Sequence, residues 1–152
     1  MNYSERFLIA APLEQVWAFV EDGRSLIACI PGSSNVARTE DGGITAVITD
    51  RVGPFGVEFH VTGSFAVDTA EHRIASDGSG KDVKLGNTLT LKVNLQVQQV
   101  ESGQVEVVLD ADVNISGKVA SLGFGIMKDK ARKTMAGFVS NMHARMAEGV
   151  AS

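Results

Sequence analysis

The sequence predicts an α+β fold: a curved seven-stranded antiparallel sheet around one long C-terminal helix, with two short helices after the first strand. Three observations predict it. From Ser34 to Ser116 the hydrophobic period is two, the spacing of half-buried strands. Short turns separate these runs, which makes neighbours antiparallel. Beyond them Ala120, Phe124, Met127, Ala131, Met135, Phe138, Met142 and Met146 recur every three or four residues, drawing one apolar stripe on a helix. From about Lys118 to about Glu148, at roughly 1.5 Å per residue, this helix would be about 45 Å long. As the only long helix it must cover the inner face of the sheet by itself, so the sheet should wrap around it.

Taken in order, Tyr3 to Ala10 alternate with Tyr3, Phe7 and Ile9 in one phase, a first strand. Pro12 suits the first turn of a helix, where its missing N–H costs nothing. Leu13, Val16, Trp17 and Val20 give that helix one apolar face, and Asp22-Gly23 ends it. A second short helix covers Arg24 to Cys29 and stops at Ile30-Pro31-Gly32, because proline disfavours helix in the residue before it. Strands follow over Asn35 to Glu40, Ile44 to Val52, Phe55 to Asp68, Arg73 to Gly80, Thr88 to Val100 and Gln104 to Ser116. The turns at Asp41-Gly42-Gly43, Gly53-Pro54, Ala70-Glu71-His72 and Glu101-Ser102-Gly103 carry the residue types that tight turns require. No repeat, low-complexity stretch or linker divides the chain, and residues 1–152 read as one domain.

Composition narrows the function. A net charge of -4 and a pI near 5.3 lack the basic excess of a nucleic-acid surface. Lys128, Lys130, Arg132 and Lys133, interrupted by Asp129, read as the solvated face of the last helix. A single cysteine, Cys29, leaves no internal disulfide and no thiolate metal site, which suits a reducing cytoplasm. The N-terminus lacks the pattern of a secretory signal, and no run approaches the roughly 20 apolar residues of a membrane span.

A catalytic constellation is not expected. His60 is out of phase with Val57, Phe59 and Val61, His72 is in a turn, and His143 lies off the stripe of the long helix. None has a partner at metal-ligand spacing. Cys29 reads as a small buried hydrophobe without an activating neighbour. Ser33, Ser34 and Ser121 lack a nucleophile-elbow context, and Glu106, Asp110 and Asp112 are on the polar phase of a strand. The spacing of Gly78, Gly80 and Gly86 is too loose for a phosphate cradle. The inward phases of the strands supply no acid or base.

What remains is an apolar enclosure. Aromatic residues are only 6% of the chain and the inward phases are mostly valine and leucine, so one helix has little bulk to fill a wrapped sheet. Unfilled apolar space is where proteins bind small hydrophobic molecules. Phe59, Val61, Leu91, Phe124, Met127, Met135 and Phe138 are expected as wall, with Ile30, Pro31, Pro54 and Phe55 near the mouth. Gly123 and Gly125, at the start of the last helix, mark either a movable entrance or a loose helix start.

Four stretches carry a family resemblance: Pro12-Leu13-Glu14-Gln15-Val16-Trp17, Cys29-Ile30-Pro31-Gly32, Val52-Gly53-Pro54 and Gly117-Lys118-Val119-Ala120-Ser121-Leu122-Gly123. In this order they resemble the CoxG family of carbon monoxide dehydrogenase, within the START/Bet v 1-like superfamily. The resemblance implies a helix-grip fold around a hydrophobic cavity. It also implies a non-catalytic accessory protein of a molybdenum hydroxylase, binding a quinone- or lipid-like molecule, with no metal and no covalent cofactor. It further implies transient contact with the inner membrane. Some relatives continue into a membrane-attaching tail; here Gly149 reads as a helix stop and the chain ends at Ser152, so direct anchoring is not expected. Two alternatives stay open: a polyketide-cyclase-like enzyme on the same fold, and a protein-protein adaptor with a filled core.

Overall fold

The structure, a computed structural model, describes the backbone of residues 1–151 and the side chains of residues 1–148. The order is β1 (Asn2–Ile9), α1 (Leu13–Glu21), α2 (Gly23–Ile27), β2 (Ser33–Arg38), β3 (Ile44–Val52), β4 (Phe55–Asp68), β5 (Arg73–Asp82), β6 (Thr88–Glu101), β7 (Gln104–Ser116), a 3-10 turn (Lys118–Leu122) and α3 (Phe124–Ala151). All seven strands form one antiparallel sheet in the order β1-β7-β6-β5-β4-β3-β2. Consecutive hairpins build β2 to β7, and β1 returns to pair with β7, so α1 and α2 carry the chain from one sheet edge to the other.

The alternation chooses the inner face. Val105, Val107 and Leu109 on β7, and Leu95 and Val97 on β6, are buried, whereas Glu106, Val108 and Gln96 between them are partly exposed and Asp110, Asn94 and Gln98 beside them are exposed. α3 crosses this face from edge to edge. Near its C-terminal end His143 Nε2 donates to the Leu8 carbonyl of β1 at 2.8 Å, and nearer its start Lys130 Nζ pairs with Asp50 of β3 at 2.7 Å. Binding to both sides of one sheet is how the sheet wraps its helix.

The closing helix differs from its expected span at both ends. Residues Lys118–Leu122 form the separate 3-10 turn, Gly123 breaks the chain direction at φ +95°, and α3 begins only at Phe124. Ala120 and Phe124 therefore leave the stripe and are exposed, Phe124 by 65%. Met127, Phe138, Met142 and Met146 are buried, as the spacing requires. Gly149 does not stop the helix, whose backbone continues to Ala151. A lone glycine costs a helix about 1 kcal/mol, less than a turn of continuing backbone hydrogen bonds returns. Of the strands, β3, β4 and β7 have the expected limits and the others move by one or two residues.

The short motifs are turn locks. Gly32 has φ +81°, and a Cβ there would lie 2.1 Å from the Thr49 carbonyl oxygen, because the Gly32 carbonyl accepts from Thr49 N–H across the β2–β3 join. Gly32→Ala should lower stability by roughly 2–3 kcal/mol, read as a lower urea midpoint. Pro31 packs its Cγ on Gly137 of α3, where even a methyl group would come within 2.6 Å. Together with Asn141 Nδ2, which donates to the Cys29 carbonyl at 2.9 Å, this contact clamps the second half of α3.

At the opposite end a buried polar knot holds the β5–β6 loop. The Asp82 carboxylate accepts from the backbone N–H groups of Glu58, Lys84 and Leu85 at 3.0, 3.0 and 3.1 Å and from Asn87 Nδ2 at 2.9 Å. Asn87 Oδ1 in turn accepts from Val119 N–H at 2.9 Å, tying the 3-10 turn to the loop. Gly117 has φ +116°, and a Cβ there would meet Asn87 Oδ1 at 2.5 Å, which explains the glycine that begins this motif. Burial pushes the Asp82 carboxyl up, but these four hydrogen bonds outweigh it and hold the pKa at about 2. The folded value lies below the unfolded one, so this stabilisation is present above the ordinary aspartate range and is lost as pH falls through it toward 2. Urea midpoints measured between neutral pH and pH 2 should fall in that window, and the fall should be smaller in an Asp82→Asn variant.

Candidate functional site

Two packed clusters occupy the ends of the grip. One joins Val16, Trp17, Val20, Leu26 and Cys29 of the α1–α2 segment to Phe138, Met142 and Met146 of α3 over β1, β6 and β7. The other gathers Val52, Val57, Phe59, Leu89, Val119 and Met127 near the 3-10 turn. Between them is a cavity of about 240 Å³, bordered by side chains of both clusters.

Its hollowness has a residue-level cause. In the first half of α3 the side chains bordering the cavity include Ala131 and Thr134, and the facing strands supply Ser76, Ala111, Val93 and Val113. These are too short to meet across the space that the large side chains at either end hold open. A recess of about 50 Å³ adjoins it, sharing Ile30, Phe65 and Leu91 and adding Ala46, Val61 and Gly78.

Of the residues expected around a cavity, Ile30, Phe59, Leu91, Met127, Met135 and Phe138 border the main space and Val61 the recess. Four do not border either. Phe124 is at the surface, because Gly123 delays the helix and turns its first residue outward. Pro31 packs on Gly137, Pro54 is exposed at the β3–β4 turn, and Phe55 packs on the second cluster.

The inward strand phase does contain an acid, contrary to expectation. Asp50 shares the phase of Ile48 and Val52 on β3, and both it and Lys130 border the cavity as an ion pair. The alternation Ile44, Ala46, Ile48, Asp50, Val52 contained this signal. Lys130 is correspondingly not part of the solvated face: it pairs with Asp50 across the seam of β3 and α3, and both side chains border the cavity while remaining 31% exposed. Lys128, Arg132 and Lys133 are exposed.

Among the described residues the other titratable groups bordering the space belong to Met1, whose ammonium pairs with Asp112 at 3.4 Å, and to Tyr3, whose phenol donates to the Met1 sulfur at 3.2 Å. Cys29 is fully buried and its thiol pKa is pushed up by that burial, which disfavours the thiolate needed of a nucleophile. His60 is exposed and pairs with Glu58, His143 is bound to the Leu8 carbonyl, and His72 is half-buried, edge-on to Trp17. Among the described residues no group of histidine, cysteine, aspartate and glutamate could hold a metal ion. Among them, too, no helix is long and apolar enough to cross a membrane.

A seven-stranded antiparallel sheet gripping a long C-terminal helix, with short helices after the first strand, is the START/Bet v 1-like fold. Solved structures of similar fold cover nearly the whole chain. A conserved protein from Geobacillus kaustophilus superposes with a TM-score of 0.85 at 13% identity, covering 97% of this chain and 96% of its own. A START superfamily protein from Mycobacterium smegmatis does so with a TM-score of 0.70 at 15% identity, covering 97% of each chain. The Zhui aromatase/cyclase from Streptomyces sp. R1128 gives 0.73 at 13%, covering 99% and 95%. At such identities the likeness concerns the fold alone. The chain belongs to the CoxG family, the G-type subunits of carbon monoxide dehydrogenase, whose model matches residues 6–147. No curated protein matches its sequence.

Proposed function

We propose that this protein is a non-catalytic accessory protein that carries a hydrophobic small molecule, quinone- or lipid-like, for a molybdenum hydroxylase of the carbon monoxide dehydrogenase type. The observation that carries this reading is the apolar hollow between two well-packed ends. Ile30, Phe59, Leu91, Met127, Met135 and Phe138 border it, and the family's name, a subunit of carbon monoxide dehydrogenase, supports the choice of partner enzyme. Burying roughly 250 Å² of apolar ligand surface is worth about 6 kcal/mol, enough for reversible rather than permanent binding. The volume is below the roughly 300–1,000 Å³ usual for ligand pockets. It therefore takes a ring system or a single chain, and a long isoprenoid tail would extend through the opening. The carrier works in the cytoplasm and touches the inner membrane transiently to load.

The cyclase-like alternative is favoured by one observation, the carboxylate of Asp50 on the cavity wall. Its pairing with Lys130 at 2.7 Å leaves it an anchored ion, not a free base, and supports the carrier reading instead. The adaptor with a filled core is disfavoured by the hollow itself.

Extraction of the purified protein with organic solvent followed by mass spectrometry should yield a quinone or lipid in stoichiometric amount, and added quinone should raise the melting temperature. Absence of both results would refute ligand carriage. Co-purification with a molybdenum hydroxylase tests the partner separately.

A further inference from the structure

We infer that the Asp50–Lys130 ion pair is a head-group site, which selects amphiphiles whose polar end is uncharged and both donates and accepts hydrogen bonds. This rests on the carrier reading and adds to it the chemistry of the ligand's polar end.

Asp50 and Lys130 are the only charged side chains on the wall of the main cavity among the described residues, and each is 31% exposed to solvent. The ammonium of Met1, which also borders the cavity, is held by Asp112 and the Val113 carbonyl. An amphiphile whose apolar body fills the hollow therefore leaves its head beside Asp50 and Lys130. The Thr134 hydroxyl, one helical turn beyond Lys130, borders the same space. Lys130 spends one of three ammonium protons on Asp50, and Asp50 keeps unused lone pairs. A hydroxyl can accept from the first and donate to the second without breaking the pair.

A charged head fares worse on both counts. A carboxylate entering from water must shed hydration, and the pair offers no net charge to compensate. Binding to Lys130 would bring it against Asp50, a like charge at close range. A cationic head meets the mirror problem at Lys130. Other charges near the seam do not restore a net field: Asp129 is paired with Lys133, and Arg51 and Lys128 are exposed to solvent. The site thus admits phenols, quinols and alcohols over free fatty acids.

Competition against bound N-phenylnaphthylamine, a neutral fluorescent probe, tests this with decanol and decanoate, which share one chain and differ in the head. In the natural protein, at about pH 8, where the carboxylate is ionised, decanol should displace the probe at least about tenfold more effectively. Asp50→Asn frees Lys130 and should reverse the order, so that decanoate becomes the better competitor. Lys130→Met should weaken decanol several-fold and leave decanoate poor, which excludes a fold defect specific to Asp50→Asn. Equal competition in the natural protein, or an unchanged ratio in Asp50→Asn, overturns the head-group site while leaving the carrier reading intact. Failure of the natural protein to take up the probe removes the carrier reading and this inference together.

Discussion

Replacing Ala131 by phenylalanine should weaken uptake of a neutral hydrophobic probe by at least about thirtyfold while leaving the protein folded. Ala131 is in the first half of α3, one turn from Met127 and one from Met135, and borders the hollow. A ring added there enters the space that a ligand's apolar body would occupy. Over-packing a filled core costs about 1–3 kcal/mol, but filling a void restores contacts instead. The melting temperature of the free protein should therefore hold or rise as binding disappears. Ala136→Phe is the control, since Ala136 is exposed on the same helix and should leave uptake unchanged. Fluorescence titration of both variants checks this. Retained binding in Ala131→Phe would place the ligand elsewhere.

Asp82→Ala should be the most destabilising single change at the tip of the sheet, by roughly 3–4 kcal/mol. It removes the acceptor of four hydrogen bonds at once and strands three backbone N–H groups and the Asn87 amide. Because Asn87 also anchors Val119, the loss should spread into the 3-10 turn and the start of α3. For a chain of this size the melting temperature should drop by roughly 10 °C. Hydrogen exchange should show the extra opening confined first to the β5–β6 loop and residues 117–127. Protection lost evenly across the sheet would argue against a local lock.

These two side chains show how differently the sequence exposes its contents. Ala131 is on a stripe whose spacing marks the inward face, so its direction was legible. Asp82 lies beyond the strand expected over Arg73 to Gly80, and nothing in its local sequence singles it out. Its four donors come from β4, the following loop and Asn87, and a buried aspartate cannot be told from an exposed one until those groups converge. Phe124 failed for the opposite reason: its spacing matched the stripe, but periodicity assumes an unbroken helix and Gly123 breaks it. The family-like motifs were recognisable as strings, while their work as locks between Gly32 and Thr49, Pro31 and Gly137, and Gly117 and Asn87 is a matter of contacts across the chain.

By itself the sequence determined the seven strands, their antiparallel order along the hairpins, the two short helices and the inward face of the closing helix. Each of these follows from local period and turn chemistry. Only the tertiary structure decided that the grip is hollow between its two packed ends and that Asp50 meets Lys130 on the wall of that hollow. Periodicity says which side chains point inward. It does not set the distance between facing layers, and that distance decides whether short side chains meet or leave a cavity.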